Sequence, residues 1–256
     1  MTGEGRDDLC AVILAAGLGK RLRPLTEVLP KPLCPIDNVP LLDLAIASVR
    51  GLVDDIAVNV HYRADDVRRH LAGTGVHISD ETDRLLGSAG ALGHLAGWID
   101  GRSVLVRNSD MYLHGSLDDL VRDWDGERPR ILGVEVHAPA DFGTVRYVGA
   151  SLIPARSALR LPDDIAALSE LVWQPAWLRG ELEIVEATFP CIDCGTPRDY
   201  LRANLLASGG ASVIGPRAVV EGELERVVVW PDARVGPDEQ LRDCIRIGAD
   251  LTIDAR

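Results

Sequence analysis

The sequence predicts an α/β fold: a Rossmann-like, mixed but mostly parallel sheet flanked by helices, with a short C-terminal left-handed β-helix tail. Strand-like apolar runs alternate with helical patterns through the first two hundred residues. Glycine-rich or polar segments follow several strands, at the edge where ligands of such sheets bind. The last fifty residues instead repeat with a period of six. We therefore assign residues 1–207 to a main domain and residues 208–256 to the tail.

The elements of the main domain are predicted from the spacing of their apolar residues. Continuous apolar runs are typical of buried parallel strands, and apolar residues three and four apart are typical of helices. The predicted strands are residues 10–15, 55–60, 76–79 and 103–107. The predicted helices are residues 39–52, 64–71 and 88–98. This alternation predicts a parallel sheet with helices on both faces.

The tail is predicted from aliphatic residues that recur every sixth position. They are Ile214 and Val220, then Val229, Val235, Leu241, Ile247 and Ile253, with Ala218, Ala233 and Ala249 between them. A period of six is typical of a parallel β-helix, in which one aliphatic residue points inward on each face of a coil. So short a solenoid must cover its open face with the main domain or with another subunit. An irregular β tail is the alternative.

Composition excludes several classes of function. The chain has 256 residues, 46% of them hydrophobic and 26% charged, as in ordinary globular proteins. No apolar run is long enough to span a bilayer, and the polar N-terminus at residues 1–8 lacks the layout of a signal peptide. We therefore predict a cytoplasmic protein. The net charge of −12 argues against nucleic-acid and membrane partners.

The five cysteines do not form the pattern of a disulfide framework. Cys191 and Cys194 make a CxxC sequence, but no second cysteine pair or histidine cluster accompanies it to complete a metal site. We interpret the pair as the end of a buried strand.

Cations are concentrated near the N-terminus, although the chain is acidic. Lys20, Arg21, Arg23 and Lys31 lie close together, and the two lysines of the chain are both in this group. Elsewhere the chain uses arginine for its positive charges. The guanidinium of arginine is planar and branched, whereas the ammonium of lysine is compact and sits on a flexible alkyl chain. This usage therefore indicates a position that does not accept a guanidinium.

The same segment contains a glycine-rich turn after the first predicted strand. Ala15, Ala16, Gly17 and Gly19 have little or no side chain, so backbone N–H groups can approach phosphate oxygens directly. A dinucleotide fingerprint would need glycine where Leu22 stands. A Walker A loop would need serine or threonine in place of Arg21. Neither of these known phosphate loops fits.

The motifs resemble those of the sugar-1-phosphate nucleotidylyltransferases. The segment LAAGLGKRLRPLT at 14–26, followed by PKPL at 30–33, is similar to the family's signature. Further motifs agree in order: LGSAGAL at 86–92, NSD at 108–110, YVG at 147–149 and IDCGTPRDYLRAN at 192–204. A short hexapeptide tail also occurs in this family. The chain looks most similar to the compact branch with mannose-1-phosphate guanylyltransferases and N-acetylmuramate-1-phosphate uridylyltransferases.

This resemblance implies a Mg²⁺-dependent reaction of an NTP with a sugar 1-phosphate, which gives an NDP-sugar and pyrophosphate. The implied metal ligands are Asp110 and Asp193, hard carboxylates at strand ends. Arg21 is expected to hold the β- and γ-phosphates, and Lys31, fixed between two prolines, to reach the α-phosphate or the sugar phosphate. No general base is needed, because the attacking sugar phosphate is largely deprotonated at neutral pH.

The resemblance also implies a set of binding residues. For the nucleotide they are Leu14, Ala15, Ala16, Gly17, Gly19, Glu81, Gly87, Ala89 and Gly90. Glu81 is the candidate for reading the base, and its carboxylate suits guanine or uracil, with an acid at the entry of a helix as the alternative. The small residues of 87–91 would let the base lie against backbone, with close helix packing as the alternative. For the sugar they are Asn108, Gly149 and Thr196.

One departure from the family raises a competing interpretation. A segment with a Glu-Lys-Pro motif, whose lysine contacts the sugar phosphate, is missing, and Arg146, Arg198 or a backbone donor would have to replace that lysine. A catalytically impaired relative that binds a nucleotide sugar and regulates a partner is therefore the second hypothesis. An acyltransferase built on the tail is the third, but the tail has too few coils and no histidine. We expect the tail to be a lid or a contact in a homo-oligomer.

Overall fold

The computed structural model describes residues 8–137 and 139–256. Its strands, in chain order, are β1 (Leu9–Leu14), β2 (Pro35–Ile36), β3 (Val39–Pro40), β4 (Ile56–Val60), β5 (His77–Asp80), β6 (Ser103–Asn108), β7 (Met111–Leu113), β8 (Arg130–Glu135), β9 (Val145–Ile153), β10 (Glu183–Glu186), β11 (Cys191–Asp193), β12 (Val213–Ile214), β13 (Val219–Val220), β14 (Glu223–Val229), β15 (Arg234–Val235), β16 (Gln240–Ile247) and β17 (Leu251–Asp254).

Its α-helices are α1 (Leu25–Val28), α2 (Leu41–Val49), α3 (Ala64–Leu71), α4 (Gly87–His94), α5 (Ala96–Ile99), α6 (Asp118–Val121), α7 (Ala155–Ala158), α8 (Gln174–Leu178) and α9 (Pro197–Ala207). Short 3₁₀ turns cover Lys20–Leu22 and Lys31–Leu33, and a π turn covers Ser169–Trp173.

A seven-stranded sheet forms the centre of the molecule, in the order β10-β8-β9-β6-β1-β4-β5. The pairs β6–β1, β1–β4, β4–β5 and β10–β8 are parallel, whereas β9 runs antiparallel to both of its neighbours. Helices cover both faces. The predicted mixed, mostly parallel α/β sheet is therefore confirmed.

Strand β1 explains why the sheet reads as continuous apolar runs. Ala11 and Ile13 point into one core, shared with α2 and α3, and Cys10 and Val12 point into the other, shared with α4 and α5. All four side chains are fully buried. A buried side chain of the size of Ile13 contributes about 1.5–3 kcal/mol to folding. A polar residue at any of these positions would face apolar neighbours, so no alternation of polar and apolar residues is possible.

The predicted elements are present, with differences that have local causes. The predicted helix 39–52 is shorter, since Val39–Pro40 pairs with Pro35–Ile36 and the backbone of Arg50 is extended. The predicted helix 88–98 is divided into α4 and α5 at Leu95, whose ψ of 5° interrupts the helix. The family resemblance implies a sugar-binding turn at residues 147–149, but these residues lie inside β9.

The tail stacks short strands in parallel. β14 lies between β12 and β16, parallel to both, and β13 is parallel to β15. Val229, Val235 and Ala233 are buried in a core of the tail's own. Ile214, which the period places inward, is exposed on the edge strand β12, and Ala249 is exposed in the turn before β17. β17 is antiparallel to β16 and ends the parallel stack.

The tail packs against the main domain through a shared apolar cluster. Trp230, Ile245 and Ile253 of the tail are buried with Tyr200 of α9 and Ile36 of β2. The indole N–H of Trp230 donates a hydrogen bond to the hydroxyl of Tyr200 at 3.0 Å. One face of the short stack is thus covered within the chain.

In the part of the chain that the structure describes, no helix is long and apolar enough to cross a membrane. The polar N-terminal segment that underlies our prediction of location falls, except for Asp8, outside the described residues.

Candidate active site

A cavity of about 400 Å³ opens at the carboxyl ends of β1, β4 and β6. Its lining comes from the glycine-rich turn, the start of α4 and the loop after β6. The lining residues are Leu14, Ala15, Ala16, Gly17, Gly19, Lys20, Arg21, Lys31, Pro32, Asn59, Leu85, Gly87, Ser88, Asn108, Ser109, Asp110 and Gly195. This is the edge at which open parallel sheets bind their ligands.

Two carboxylates meet beside this cavity because two distant short strands pair. Asp110 lines the cavity, whereas Asp193 lies next to it, in contact with the lining residues Arg21 and Lys31. Asp110 comes directly before β7, and Asp193 is the last residue of β11. β7 and β11 are antiparallel, with Asp193 opposite Met111, and the N–H of Cys194 donates to the carbonyl oxygen of Asp110 at 3.0 Å. This pairing places the two predicted metal ligands side by side, although 83 positions separate them along the sequence (193 − 110).

Lys31 joins the two carboxylates. Its ammonium lies 2.8 Å from Oδ2 of Asp110 and 3.5 Å from Oδ1 of Asp193. The lysine side chain is only 8% exposed, whereas the carboxylates are 40% and 46% exposed. A mostly buried lysine therefore carries its charge to the end of the cavity. Pro30 and Pro32 flank Lys31 and restrict the backbone on both sides of it.

Arg21 lies on the other side of Asp193. Its guanidinium donates to Oδ2 of Asp193 at 3.1 Å, and its side chain is 67% exposed. The guanidinium rests against the backbone of Gly195, where a Cβ atom would lie 2.8 Å from its Cζ atom. Four predicted residues, Asp110, Asp193, Lys31 and Arg21, are thus brought together.

The turn after β1 requires glycine at one position. Gly19 has a φ of +60°, and a Cβ atom there would lie 2.8 Å from Cγ2 of Thr26 and 3.2 Å from Cβ of Lys31. The hydroxyl of Thr26 donates to the carbonyl oxygen of Gly19 at 3.1 Å. Gly19 therefore allows the segment with Lys31 to pack directly on the turn that lines the cavity.

Comparison with known proteins identifies the family of the chain. The sequence model described as nucleotidyl transferase matches residues 10–154, which is more than half of the chain. The chain belongs to the nucleotidyl transferase family.

Two curated relatives show which reactions occur among proteins similar to this nucleotidyl transferase. A glucose-1-phosphate thymidylyltransferase of Streptomyces antibioticus is 34% identical over 206 residues, which is 72% of this chain and 58% of the relative. An N-acetylmuramate alpha-1-phosphate uridylyltransferase of Caulobacter vibrioides is 35% identical over 130 residues, 46% of this chain and 54% of the relative. The chain thus matches little more than half of the length of either relative.

Solved structures match the fold. HddC from Yersinia pseudotuberculosis superimposes with a TM-score of 0.63 at 24% sequence identity, over 77% of this chain and 98% of HddC. A Bacillus anthracis structure described as a candidate glucose-1-phosphate thymidylyltransferase gives a TM-score of 0.67 at 22% identity, over 78% and 95% of the two chains. At these identities the similarity establishes the architecture.

Six of the expected nucleotide contacts of this nucleotidyl transferase line the cavity: five lie at the end of β1 and in the turn after it, and one lies in α4. They are Leu14, Ala15, Ala16, Gly17, Gly19 and Gly87. The N–H of Ala15 donates to Oδ1 of Asn59 at 2.7 Å, so this donor is not directed at a ligand. The N–H groups of the following residues remain the candidates for phosphate contacts.

Ala89 and Gly90 do not line the cavity, and the packing alternative describes them. Their N–H groups donate to the carbonyl oxygen of Ala166 at 3.0 and 3.3 Å. A Cβ atom on Gly90 would lie 2.1 Å from the carbonyl oxygen of Asp164. The small residues of α4 admit the backbone of 162–166, and only Gly87 and Ser88 of this helix reach the cavity wall.

Glu81 also lies outside the cavity lining. It is 3% exposed, and its two carboxylate oxygens accept hydrogen bonds from Nδ2 of Asn59 at 2.7 Å and from the N–H of Leu86 at 3.1 Å. In this arrangement it faces the protein rather than a base. Asn59, which our sequence analysis missed, lines the cavity instead. Its position at the end of β4 is the signal that would have identified it.

One of the three expected sugar-binding residues lines the cavity. Asn108 lines the cavity, but Gly149 and Thr196 do not. Gly149 lies inside β9 against the side chain of Met111. Thr196 is the N-cap of α9, where its hydroxyl oxygen accepts from the N–H of Asp199 at 3.2 Å.

A buried arginine that the sequence did not reveal supports the loop of Asp110. Arg107 is 1% exposed and donates to the carbonyl oxygens of Asn108, Met111 and Gly149. Burial lowers its pKa to about 10, so it stays positively charged at neutral pH. The guanidinium fixes the backbone on both sides of Asp110 and places a positive charge beneath it.

The CxxC residues have the properties of buried thiols. Cys191 begins β11 and is half-buried, and Cys194 is buried. Burial raises the pKa of Cys191 to about 11 and that of Cys194 to about 12. A raised pKa disfavours the thiolate, which is the form that attacks disulfides and binds metals. The motif therefore serves the packing around Asp193.

Proposed function

We propose that this protein transfers a nucleotidyl group from an NTP to a sugar 1-phosphate, forming an NDP-sugar and pyrophosphate. A phosphate oxygen of the sugar phosphate attacks the α-phosphorus in line, and the bond from that phosphorus to the bridging oxygen breaks as pyrophosphate leaves. The single observation that carries this proposal is the convergence of Asp110, Asp193, Lys31 and Arg21 at one end of the cavity.

The two carboxylates fit a divalent ion such as Mg²⁺. Both contact the ammonium of Lys31, so both are within reach of one ion at that position. Among the described residues there is no cluster of three or more acidic, histidine or cysteine ligands. That suits Mg²⁺, which takes one or two carboxylates and completes its shell with water and substrate phosphates. When bound, the ion would neutralise charge on the reacting phosphates.

The residues of the chain supply the remaining positive charge. Arg21, exposed at the mouth, is assigned to the β- and γ-phosphates and the departing pyrophosphate. Lys31, whose ammonium a bound ion would release from the two carboxylates, is assigned to the α-phosphate. Both substrates are polyanions, so the main catalytic task is to hold them together in line. GTP and UTP are the nucleotides we favour.

Neither of the two arginines considered as replacements for the family's missing lysine lies in the cavity wall. Arg146 is exposed, and its guanidinium donates to the carbonyl oxygen of Pro139. Arg198 is exposed on α9. We propose that Lys20, which lines the cavity, and the buried charge of Arg107 together attract the sugar phosphate. Asn108 is proposed to contact the sugar.

The other proposals concern the chain as a whole. We propose a catalytic domain over residues 1–207, a tail at 208–256 that forms a left-handed β-helix, and a cytoplasmic location. The parallel stacking of β12, β14 and β16 supports the proposed tail.

A homo-oligomer would form through the exposed apolar residues of the tail, Ile214, Val219 and Leu251. Light scattering tests this contact.

The deciding experiment is a pyrophosphate-release screen of four NTPs against a panel of sugar 1-phosphates. We expect release with one matched pair, none when the sugar phosphate is omitted, and none in EDTA. Absence of release with every pair, together with tight binding of an NDP-sugar, would establish the regulatory relative instead. The missing lysine segment favours that second candidate, whereas a pure binder has little need of the two carboxylates.

A substitution at Gly195 tests the position of Arg21. We expect Gly195→Ala to lower kcat/KM for the NTP about 10- to 100-fold, because the new Cβ atom would displace the guanidinium and weaken a charge-assisted contact. The fold should persist, since the displaced atoms belong to a flexible side chain. Gly97→Ala in α5 is the control, with no atom within 4 Å of its Cβ position. An unchanged kcat/KM in Gly195→Ala would contradict the role of Arg21.

A further inference from the structure

A chain of hydrogen bonds crosses the floor of the cavity between its two walls. The N–H of Ala15 donates to Oδ1 of Asn59 at 2.7 Å, and Nδ2 of Asn59 donates to Oε1 of Glu81 at 2.7 Å. From the opposite wall, the N–H of Leu86 donates to Oε2 of Glu81 at 3.1 Å. Asn59 and Glu81 are both 3% exposed.

The direction of every bond in this chain is fixed by its ends. Both ends are backbone N–H groups, which can only donate. The amide oxygen of Asn59 must therefore face Ala15, and its amide nitrogen must face Glu81. Glu81 then has to accept at both oxygens, which a carboxylate does and a side-chain amide does not.

The two walls that this chain joins carry most of the proposed nucleotide contacts. Ala15 belongs to the turn whose residues Ala16 and Gly17 line one wall, and Leu86 directly precedes Gly87 and Ser88 on the other wall. The carbonyl oxygen of Glu81 also contacts Nδ1 of His61 at 2.6 Å, which fixes the backbone of the second wall next to β4.

We propose that Asn59 and Glu81 are positioning residues that set the separation of the two walls of the nucleotide cleft. Glu81 acts through Asn59 and Leu86 and does not touch the base. This inference rests on the proposed function, because it assumes that the cleft holds an NTP. A carboxylate is required at Glu81 because two donors converge on it, and both of its oxygens must accept a hydrogen bond.

Exchanging the amide and the carboxylate between positions 59 and 81 tests the direction of these hydrogen bonds. In Glu81→Gln, the new amide nitrogen must face Nδ2 of Asn59 or the N–H of Leu86, so one buried donor loses its acceptor. In Asn59→Asp, two carboxylates face each other without a proton between them. In the double variant, the new carboxylate at position 59 accepts from Ala15 and from the new amide at position 81. The oxygen of that amide accepts from Leu86, so every bond is restored with the charge moved by one residue.

Amide hydrogen exchange at Ala15 and Leu86 directly measures the protection of the two backbone donors at the ends of this series of hydrogen bonds. We expect protection of at least one of these amides to fall about tenfold or more in Glu81→Gln and to recover in the double variant. We expect Tm to fall by about 5 °C in Glu81→Gln and to recover likewise. Asp83→Asn, which removes an exposed acid from the same segment, is the control and should change neither quantity.

Nucleotide affinity tests the positioning role, with MgGTP and MgUTP as the probes, measured well below Tm. For the nucleotide that the wild type binds, we expect Kd to rise about tenfold in Glu81→Gln and to stay unchanged in Asp83→Asn. The double variant is left out of this measurement, because its new carboxylate at position 59 would lie in the cavity wall.

The outcomes separate this inference from the proposed function. Unchanged amide exchange in Glu81→Gln, or no recovery in the double variant, would contradict the proposed series of hydrogen bonds, even if pyrophosphate release were confirmed. Changed exchange with unchanged Kd would overturn the positioning role. If the wild type bound neither probe and released no pyrophosphate with any NTP, the proposed function would fail. The exchange data would still show whether the hydrogen bonds of Asn59 and Glu81 are present.

Discussion

Asp110→Asn is expected to lower kcat about 1000-fold, because it removes a carboxylate from the point at which the divalent ion is proposed to bind. A metal that neutralises developing phosphate charge is worth several kcal/mol, and each 1.36 kcal/mol is about tenfold in rate. Asp110 is 40% exposed, and its partner Lys31 retains Asp193 at 3.5 Å, so we expect the fold to survive. Steady-state pyrophosphate release at saturating Mg²⁺ measures the loss.

The control for this substitution is Asp54→Asn, which removes an exposed acid before β4, at the opposite edge of the sheet. It should keep the wild-type rate. A further readout distinguishes loss of the metal from loss of the nucleotide. Because a negative charge leaves the cavity, metal-free NTP should bind Asp110→Asn at least as tightly as it binds the wild type. A wild-type kcat in Asp110→Asn would remove this residue from the metal site.

Sequence patterns revealed the central sheet because its strands are buried on both faces. β1 sends alternate residues into two cores, and that leaves a continuous apolar run that is visible without coordinates. The pair β7–β11 has no such signature. Each strand has three residues, and their partners are about 80 positions apart. The adjacency of Asp110 and Asp193 could therefore be expected only from the family resemblance.

Glu81 shows the limit of a motif. Its place before the glycine-rich segment suggested a contact with the base, but the direction of a side chain depends on the donors around it. Here the N–H of Leu86 and the amide of Asn59 turn the carboxylate inward. The small residues of α4 raised the same difficulty. A glycine admits a ligand or a neighbouring backbone equally well, and the location of 162–166 decided between the two.

The unusual lysine usage, by contrast, drew attention to a residue that lines the cavity. Lys31 is enclosed between the two carboxylates and the turn of Gly19, with 8% of its side chain exposed. Because a planar guanidinium is broader than an ammonium, we expect an arginine not to fit this enclosed position. Lys20, the other lysine, is exposed, so its identity has no comparable steric explanation. The steric argument for lysine therefore applies to Lys31 and not to Lys20.

Lys31→Arg is expected to lower kcat about 100-fold, although the charge is conserved. The guanidinium would have to leave the enclosed position, and the α-phosphate would lose a cation that is already in place. Lys31→Met should lose about as much or more. Arg50→Lys at the exposed end of α2 is the control for exchanging the two cations, and it should keep the wild-type rate. A wild-type kcat in Lys31→Arg would show that any cation suffices there.

Lys31→Met also predicts a change in metal affinity without any substrate. In the wild type the ammonium occupies both carboxylates, so an ion must displace it before binding. Without the ammonium, Asp110 and Asp193 lose the cation that they share, and the cation that still contacts Asp193 is Arg21, which is 67% exposed. Because a ligand that binds only the folded state raises Tm, 10 mM Mg²⁺ (a concentration chosen to be about saturating) should raise Tm more in Lys31→Met than in the wild type. Potassium chloride at equal ionic strength controls for screening. Equal shifts in the two proteins would mean that Lys31 and the ion do not share one position, and the assignment of Lys31 to the α-phosphate would lose its physical basis.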